Sequence, residues 1–211
     1  FAREARASFP TARFLVATED QVAGRAKRKF VARAAAGDWD AVIVSHELFT
    51  SLSADPEVEM AYLQEEMSVL AGGDEGGTRG AKALAARRRA LENRVDALRN
   101  ARHDPDALTF SMLGVDHICV DEAHLFKGLP VASRTSGLSS SSSQRALDLL
   151  IKITSLSAQH PGRSVATLAS GSPFVNTLIE LFVWARFCAP NLLDQAQCRN
   201  FDQWAATFVQ W

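Results

Sequence analysis

The sequence predicts an α/β protein in which a mostly parallel sheet is flanked by helices and carries an inserted helical hairpin. Short apolar segments alternate with helical segments along the chain, an order typical of parallel sheets with right-handed crossovers. One interval between two apolar segments, residues 55–106, is long and largely helical in pattern, which predicts an insertion. In addition, one apolar segment runs directly into Asp121 and Glu122, and open α/β sheets bind ligands where their strands end.

Four short apolar segments are predicted strands. Their β-branched and apolar residues suit strands that are buried on both faces of a sheet. In chain order they are residues 13–18, 41–45, 117–120 and 164–169. The helical segments that alternate with them are residues 20–36, 56–70, 81–101, 144–158 and 174–188.

The predicted insertion consists of two helices that flank a glycine-rich tip at residues 71–78. The first helix is rich in glutamate and the second in arginine, so we expect them to pair through charge as well as through apolar faces. Glycine-rich stretches between helices are flexible connectors. The chain is thereby divided into residues 1–54, the hairpin at 55–106 and residues 107–211.

Composition sets limits on the function without assigning one. The chain has 211 residues, enough for one well-cored domain with an insertion. Its net charge is −1, so the overall charge does not indicate a nucleic-acid partner. Charge is uneven locally, because residues 1–33 hold eight basic and three acidic groups, and residues 79–102 hold eight basic and two acidic groups. Each patch is either a phosphate-binding surface or the solvated face of a helix.

Cysteine usage and hydropathy indicate a reducing, cytoplasmic setting. The three cysteines are far apart and form no C-x-x-C pair, which argues against a disulfide framework and a zinc knuckle. Cys119 lies within a predicted strand and is expected to be a small core residue. No apolar run reaches the length of a membrane span, and no signal peptide is visible. The chain opens with Phe1, and we expect it to be a piece of a longer protein.

Five segments together resemble a known family of motor proteins. They read D-W-D-A-V-I-V-S-H-E-L-F at 38–49, V-D-H-I-C-V-D-E-A-H-L-F-K at 115–127, G-L-S-S-S-S-S-Q-R-A-L-D-L at 137–149, A-T-L-A-S-G-S-P-F-V-N-T-L-I-E-L at 166–181 and N-F-D-Q-W-A-A-T-F at 200–208. In this order they resemble the first motor lobe, a RecA-like domain, of a superfamily-two DEAH-box helicase of the Swi/Snf-like branch. More narrowly, they resemble the helicases of phages and plasmids that are often fused to an adenine-specific DNA methyltransferase.

The resemblance implies an ATP-hydrolysing DNA helicase or translocase. Asp121 would hold Mg²⁺ on ATP, Glu122 would activate the attacking water, and His124 would couple the nucleotide to other motifs. Ser170 and Ser172 stand where the family has threonines, and they would share in this coupling. The positions expected to contact DNA are His46, Arg134, Arg145, Ser170 and Asn176.

One motif is absent from the sequence. No G-x-x-x-x-G-K-[S/T] occurs, so the loop and lysine that hold nucleotide phosphates are missing. The resemblance places that loop in an upstream segment and an arginine finger in a second motor lobe. We therefore expect ATP, DNA and these two further parts as partners, and no ATPase activity from this chain alone. Whether a methyltransferase domain is fused to the protein stays open.

Several alternatives remain open at this stage. The chain is either part of a working motor or a catalytically inactive lobe kept for binding DNA or protein. The intact Asp121-Glu122-Ala123-His124 favours the first view, and the substituted serines favour the second. An unrelated α/β hydrolase or nucleotide-binding fold is a third, weaker reading, because no G-x-S-x-G elbow is found. Locally, His46 is either a surface or capping residue or a DNA contact, and the serine run at 139–143 is either a phosphate ligand or a connector. The segment at 170–173 also reads as a turn into a helix, with Ser172 as N-cap and Pro173 at the first helical position.

Overall fold

The computed structural model describes residues 1–71, 79–100, 107–131, 133, 143–173 and 177–209. The chain divides into two compact units. The first comprises Phe1–Asp55 and Asp104–Val115, and the second comprises Pro56–His103 and Asp116–Trp211.

The first unit is built around two parallel strands. Strand β1 (Phe14–Val16) pairs with strand β2 (Ala41–Ile43), with Leu15 opposite Val42. The chain returns to this unit after the insertion, because Ser53 and Thr109 form a parallel bridge and the Phe110 amide donates to the Ser53 carbonyl at 2.8 Å. The regular elements are α1 Ala2–Ser8, β1 Phe14–Val16, α2 Gly24–Ala36, β2 Ala41–Ile43 and α3 His46–Ser51, with short 3-10 helices at Glu19–Val22 and Phe110–Leu113.

Helix α2 is amphipathic, with a cationic outer face. Its sequence, rich in alanine, arginine and lysine, has high helix propensity. Phe30, Val31 and Ala34 are buried at helical spacing, which fixes the face that packs inward. Lys27 donates from Nζ to the Ser51 carbonyl at 2.6 Å and so ties α2 to the end of α3.

The second unit also contains one pair of parallel strands. Strand β3 (Ile118–Val120) pairs with strand β4 (Ala166–Leu168), with Cys119 opposite Thr167. The elements of this unit are α4 Pro56–Ala71, α5 Arg79–Asn100, β3 Ile118–Val120, a 3-10 helix Ala123–Phe126, α6 Gln144–Gln159, β4 Ala166–Leu168, α7 Leu178–Cys188, α8 Pro190–Gln195 and α9 Phe201–Phe208.

Helices α4 and α5 pack against each other in the span predicted as a hairpin. Leu63 on α4 and Leu91 on α5 are fully buried, and Glu59 pairs with Arg94 at 2.7 Å. The expected pairing of an acidic and a basic helix is therefore present.

A largely buried arginine joins α4 to α7. Arg186 donates from Nη2 to the Tyr62 hydroxyl and to Oε1 of Glu66, each at 2.5 Å. Burial raises the pKa of Tyr62, so the phenol stays protonated. Charged groups away from water are stable only when they are paired in this way.

Helix α6 buries an ion pair among its apolar residues. Lys152 has no exposed side-chain surface, and its Nζ lies 2.6 Å from Oδ2 of Asp148. Burial raises the pKa of Asp148 to about 6, although Lys152 opposes this shift. The surrounding residues of α6, including Leu149, Leu150 and Ile153, are buried as well.

The predicted strands and helices are found, and the α/β class is confirmed. The strands are shorter than predicted, and none is buried along its full length. Cys119 is exposed, so its assignment to the core was wrong. The reason is the two-residue period of a strand, which turns Ile118 and Val120 inward and Cys119 outward. A single RecA-like sheet stays a prediction.

Two further expectations have clear outcomes. Helix α7 begins at Leu178 with Thr177 as N-cap, so Ser172 is not its N-cap and Pro173 is not its first residue. Among the described residues, no helix is both long enough and apolar enough to cross a membrane.

Candidate functional site at the end of β3

The acid pair lies directly after β3, beside the loop that follows β4. The Ala169 amide donates to the Val120 carbonyl at 2.8 Å, and the Ala123 amide donates to the Ala169 carbonyl at 2.9 Å. These bonds continue the ladder past the ends of both strands. Residues 121–123 are thereby held in register with residues 169 and 170, which come from a distant part of the chain.

The backbone turns sharply at Glu122. This residue has φ 50° and ψ 43°, in the left-handed region, and apart from Gln197 it is the only non-glycine residue in the described ranges with positive φ. The conformation costs roughly 1–2 kcal/mol for a residue with a Cβ. The Glu122 amide donates to Oδ1 of Asp121 at 2.9 Å, which supports the turn. Such strained residues cluster at functional sites.

Both carboxylates are accessible from solvent. Asp121 is exposed, and 61 % of the Glu122 side chain is exposed. Each is therefore open to a ligand at the end of β3, where parallel sheets bind their ligands.

His124 connects Glu122 to the loop after β4. Its Nδ1 lies 3.2 Å from Oε2 of Glu122 and 3.5 Å from Oγ of Ser170. Ser170 in turn accepts a bond from the Ser172 amide at 3.2 Å. The second histidine contact is at the long end of hydrogen-bond range, so the imidazole is engaged mainly by Glu122.

A second connection runs from the same segment to α7. Lys127 follows the 3-10 helix, and its Nζ lies 3.1 Å from Oε1 of Glu180 in the first turn of α7. Only 12 % of the Glu180 side chain is exposed, so the pair is well shielded from water. A shielded ion pair resists screening by salt better than an exposed one.

The segment after the acid pair is anchored on α6 as well. Phe126 is buried, and the Arg145 guanidinium lies 5.9 Å from the centre of its ring, within the range of a cation–π contact. The Ser143 amide donates to the Gly128 carbonyl at 2.8 Å. Residues 123–128 are therefore fixed against both α6 and α7.

The predicted site residues fall into three groups. Asp121, Glu122, His124, Ser170 and Ser172 come together in the second unit. The second group lies on other helices: His46 is the first residue of α3 in the first unit, next to its N-cap Ser45, and Arg145 is exposed at the start of α6. The third group lies outside the described residues and consists of Arg134, Asn176 and residues 139–142.

Sequence reasoning missed the ion pair between Lys127 and Glu180. In the sequence both residues stand only within motif segments. They are far apart along the chain, so no periodic pattern connects them. The left-handed backbone at Glu122 was missed too, because glycine, asparagine and aspartate are the residues that usually mark this conformation.

The donor set suits a magnesium ion that arrives with a nucleotide. The described residues contain no group of three or more His, Cys, Asp or Glu side chains that could hold a metal ion. Mg²⁺ is commonly held by one or two carboxylates together with substrate phosphates and water. The exposed Asp121 carboxylate fits that partial role.

Comparison with known proteins identifies the family. The model of a family described as a probable helicase domain matches residues 1–211, the whole chain. No curated protein and no solved structure matches it. The chain therefore belongs to the probable helicase domain family.

Proposed function

We propose that this chain carries the magnesium-binding and water-activating part of an ATP-dependent DNA helicase or translocase of the Swi/Snf-like, DEAH-box branch of superfamily two. One observation supports this most directly. Two adjacent exposed carboxylates end a parallel strand, and His124 joins the second of them to the loop after the neighbouring strand. Motors need such a link, because the state of the nucleotide must reach other parts of the protein.

The two acids have separate roles in this proposal. Asp121 contributes a carboxylate oxygen to the magnesium ion on the nucleotide, and the ion neutralises charge on the phosphates. Glu122 orients the attacking water and accepts its proton. Its contact with His124 holds the carboxylate in place while most of its surface stays accessible.

The same contacts provide a route for coupling. His124 bridges Glu122 and Ser170, and Lys127 binds Glu180 on α7. A shift of the segment after β3 would therefore move the loop after β4 and the start of α7 together. We propose that this linked segment transmits the nucleotide state towards DNA.

The phosphate-binding loop must come from elsewhere in this proposal. The sequence contains no G-x-x-x-x-G-K-[S/T], and without such a loop and its lysine the phosphates are not positioned. We propose that another segment of the full-length protein and a second motor lobe complete the site.

The test is DNA-stimulated ATP hydrolysis by the full-length protein that contains this chain. Wild type is compared with Glu122→Gln, which keeps the shape of the side chain and removes its charge. Glu57→Gln on α4, an exposed position, makes the same chemical change away from the site. We expect hydrolysis to fall by about 10²–10⁴-fold in Glu122→Gln and to stay unchanged in Glu57→Gln. Equal activity in all three proteins would remove Glu122 from the mechanism.

The same experiment tests the alternative of an inactive lobe kept for binding. The sequence has Ser170 and Ser172 where the superfamily-two helicases that it resembles have threonines, which favours this alternative. DNA binding without hydrolysis in wild type would support it and would overturn the proposal of a working motor.

A further inference from the structure

We propose that the outer face of α2 is a docking surface for the phosphate backbone of the nucleic acid. The surface, called here the α2 stripe, consists of Arg25, Lys29 and Arg33. This inference rests on the proposed function, because that function supplies the polyanionic partner. It adds a contact surface in the first unit, made of residues that lie outside the five motif segments.

The three side chains share one face of the helix. They are spaced four residues apart, so each lies about 6 Å further along the axis than the last, and four-residue spacing keeps them on neighbouring positions of one side. All three are exposed. Phe30 and Val31 are buried on the opposite side, so packing holds the stripe outward.

Within the described part of the chain, none of the three cationic groups has an ion-pair partner. Helix α2 has no acidic residue. The acids that follow it, Asp38 and Asp40, both pair with Arg13. The stripe therefore keeps its charge uncompensated, which is the property that attracts a polyanion.

The basic helix α5 provides a contrast. Three of its arginines already face carboxylates: Arg88 pairs with Glu92, Arg94 with Glu59 and Arg99 with Asp96. A similar local excess of positive charge is thus partly neutralised there. Helices α2 and α5 are both basic in sequence, but in the structure they differ in how much of their positive charge is paired with carboxylates.

The chemistry of the exposed face favours nucleic acid over a membrane. The neighbouring exposed positions include Arg28 and the three alanines Ala32, Ala35 and Ala36, and the small alanine side chains allow a phosphate backbone to approach closely. A membrane-binding helix instead inserts large apolar side chains such as Trp, Phe or Leu. On α2 the one aromatic residue, Phe30, is buried in the protein core.

The stripe is also held on a rigid element. Lys27 is anchored to the Ser51 carbonyl, and Ala34 is buried at the C-terminal half of the helix. A preorganised row of charges loses less freedom on binding than a flexible basic tail.

The test is the salt dependence of DNA binding by the full-length protein, without nucleotide. The affinity for a fluorescent duplex is measured by anisotropy over a range of salt concentrations. The slope of log K against log salt reports the number of phosphates contacted, at about 0.9 per phosphate. The stripe variant carries Arg25→Gln, Lys29→Gln and Arg33→Gln, and we expect its slope to be shallower by about 2–3.

The matched control removes three exposed charges from α5 through Lys82→Gln, Arg89→Gln and Arg99→Gln. It has the same net charge as the stripe variant, and we expect it to keep the wild-type slope. A second variant, Arg25→Lys with Arg33→Lys, keeps the charge of the stripe and should also keep the slope. Its wild-type behaviour would show that the loss in the glutamine variant comes from charge and not from unfolding.

The outcomes distinguish this inference from the proposed function. A wild-type slope in the stripe variant, or an equal loss in the α5 control, would overturn the docking surface. Binding to phosphatidylserine vesicles that requires the stripe, without stripe-dependent DNA binding, would overturn it as well. Because nucleotide is absent from the measurement, a protein without ATPase activity can still show the expected change in slope.

Discussion

Removing the buried guanidinium of Arg186 tests whether α4 and α7 are joined by a charge pair in the interior. Arg186→Met keeps most of the apolar stem of the side chain and removes its charge. The substitution removes the hydrogen-bonded partner of Glu66, whose side chain is only 18 % exposed, and leaves Arg87 as a more weakly interacting cation nearby. It also removes the hydrogen bond to the Tyr62 hydroxyl.

The expected loss of stability follows from this burial. Breaking a buried ion pair by removing one partner costs about 3–5 kcal/mol, because the remaining charge is uncompensated. For a protein of this size, each kcal/mol lowers the midpoint of thermal unfolding by roughly 2–4 °C. We therefore expect a fall of about 6–20 °C in the unfolding transition of the second unit.

The assay is thermal unfolding followed by tryptophan fluorescence, with Trp184 and Trp204 as reporters in the second unit. Arg199→Met is the control, because Arg199 pairs with Glu65 and Asp194 at an exposed site where such pairs contribute about 0–1 kcal/mol. Adding Glu66→Gln to Arg186→Met should recover part of the loss by removing the unpaired charge. If Arg186→Met is no more destabilising than Arg199→Met, the buried pair does not hold these helices together.

Three further predictions concern other residues of the second unit. Burial raises the pKa of Asp148 in the folded protein to about 6, above the pKa of an aspartate in the unfolded chain. The protonated carboxyl group therefore contributes stability below about pH 4, and this contribution is lost as the pH rises to about 6. Between pH 4 and pH 7 the stability of Asp148→Asn relative to wild type should rise by up to about 3 kcal/mol in urea titrations, in addition to a constant cost for leaving the buried Lys152 without its carboxylate, and a pH-independent difference would contradict this. Lys127→Met should cost about 1–3 kcal/mol in the same titrations, because it deprives the shielded Glu180 of a charged partner. Lys127→Arg should retain most of that stability. Phe182→Ala should cost about 3–5 kcal/mol, since its buried ring packs against Phe201 and Trp204, and a loss below 1 kcal/mol would refute this packing.

Local patterns in the sequence were sufficient to locate the strands and helices. The apolar runs before Asp121 and Ser170 mark β3 and β4 because a short β-branched segment between turn residues has few other conformations. Their shared edge then follows from parallel pairing, so the proximity of Glu122, His124 and Ser170 was predictable in outline.

Features that depend on partners distant in sequence were not predictable. Arg186 and Tyr62 belong to different helices far apart in the chain, and neither helix carries a pattern that indicates the other. The exposure of Cys119 depends on which face of β3 is covered, which a three-residue strand does not reveal. The start of α7 at Leu178 was missed because serine and proline at 172 and 173 are good helix-starting residues whose preference is overridden here.

Under the proposed function, the left-handed backbone at Glu122 opposes stability to activity at a single residue. Glycine adopts this conformation without the steric cost that a side chain brings, so Glu122→Gly should relieve strain while it removes the carboxylate. Variants selected only for a more stable fold would therefore be expected to lose this glutamate, and variants selected for the proposed motor activity to keep it. A position at which these two selections choose different residues is under functional constraint and not structural constraint.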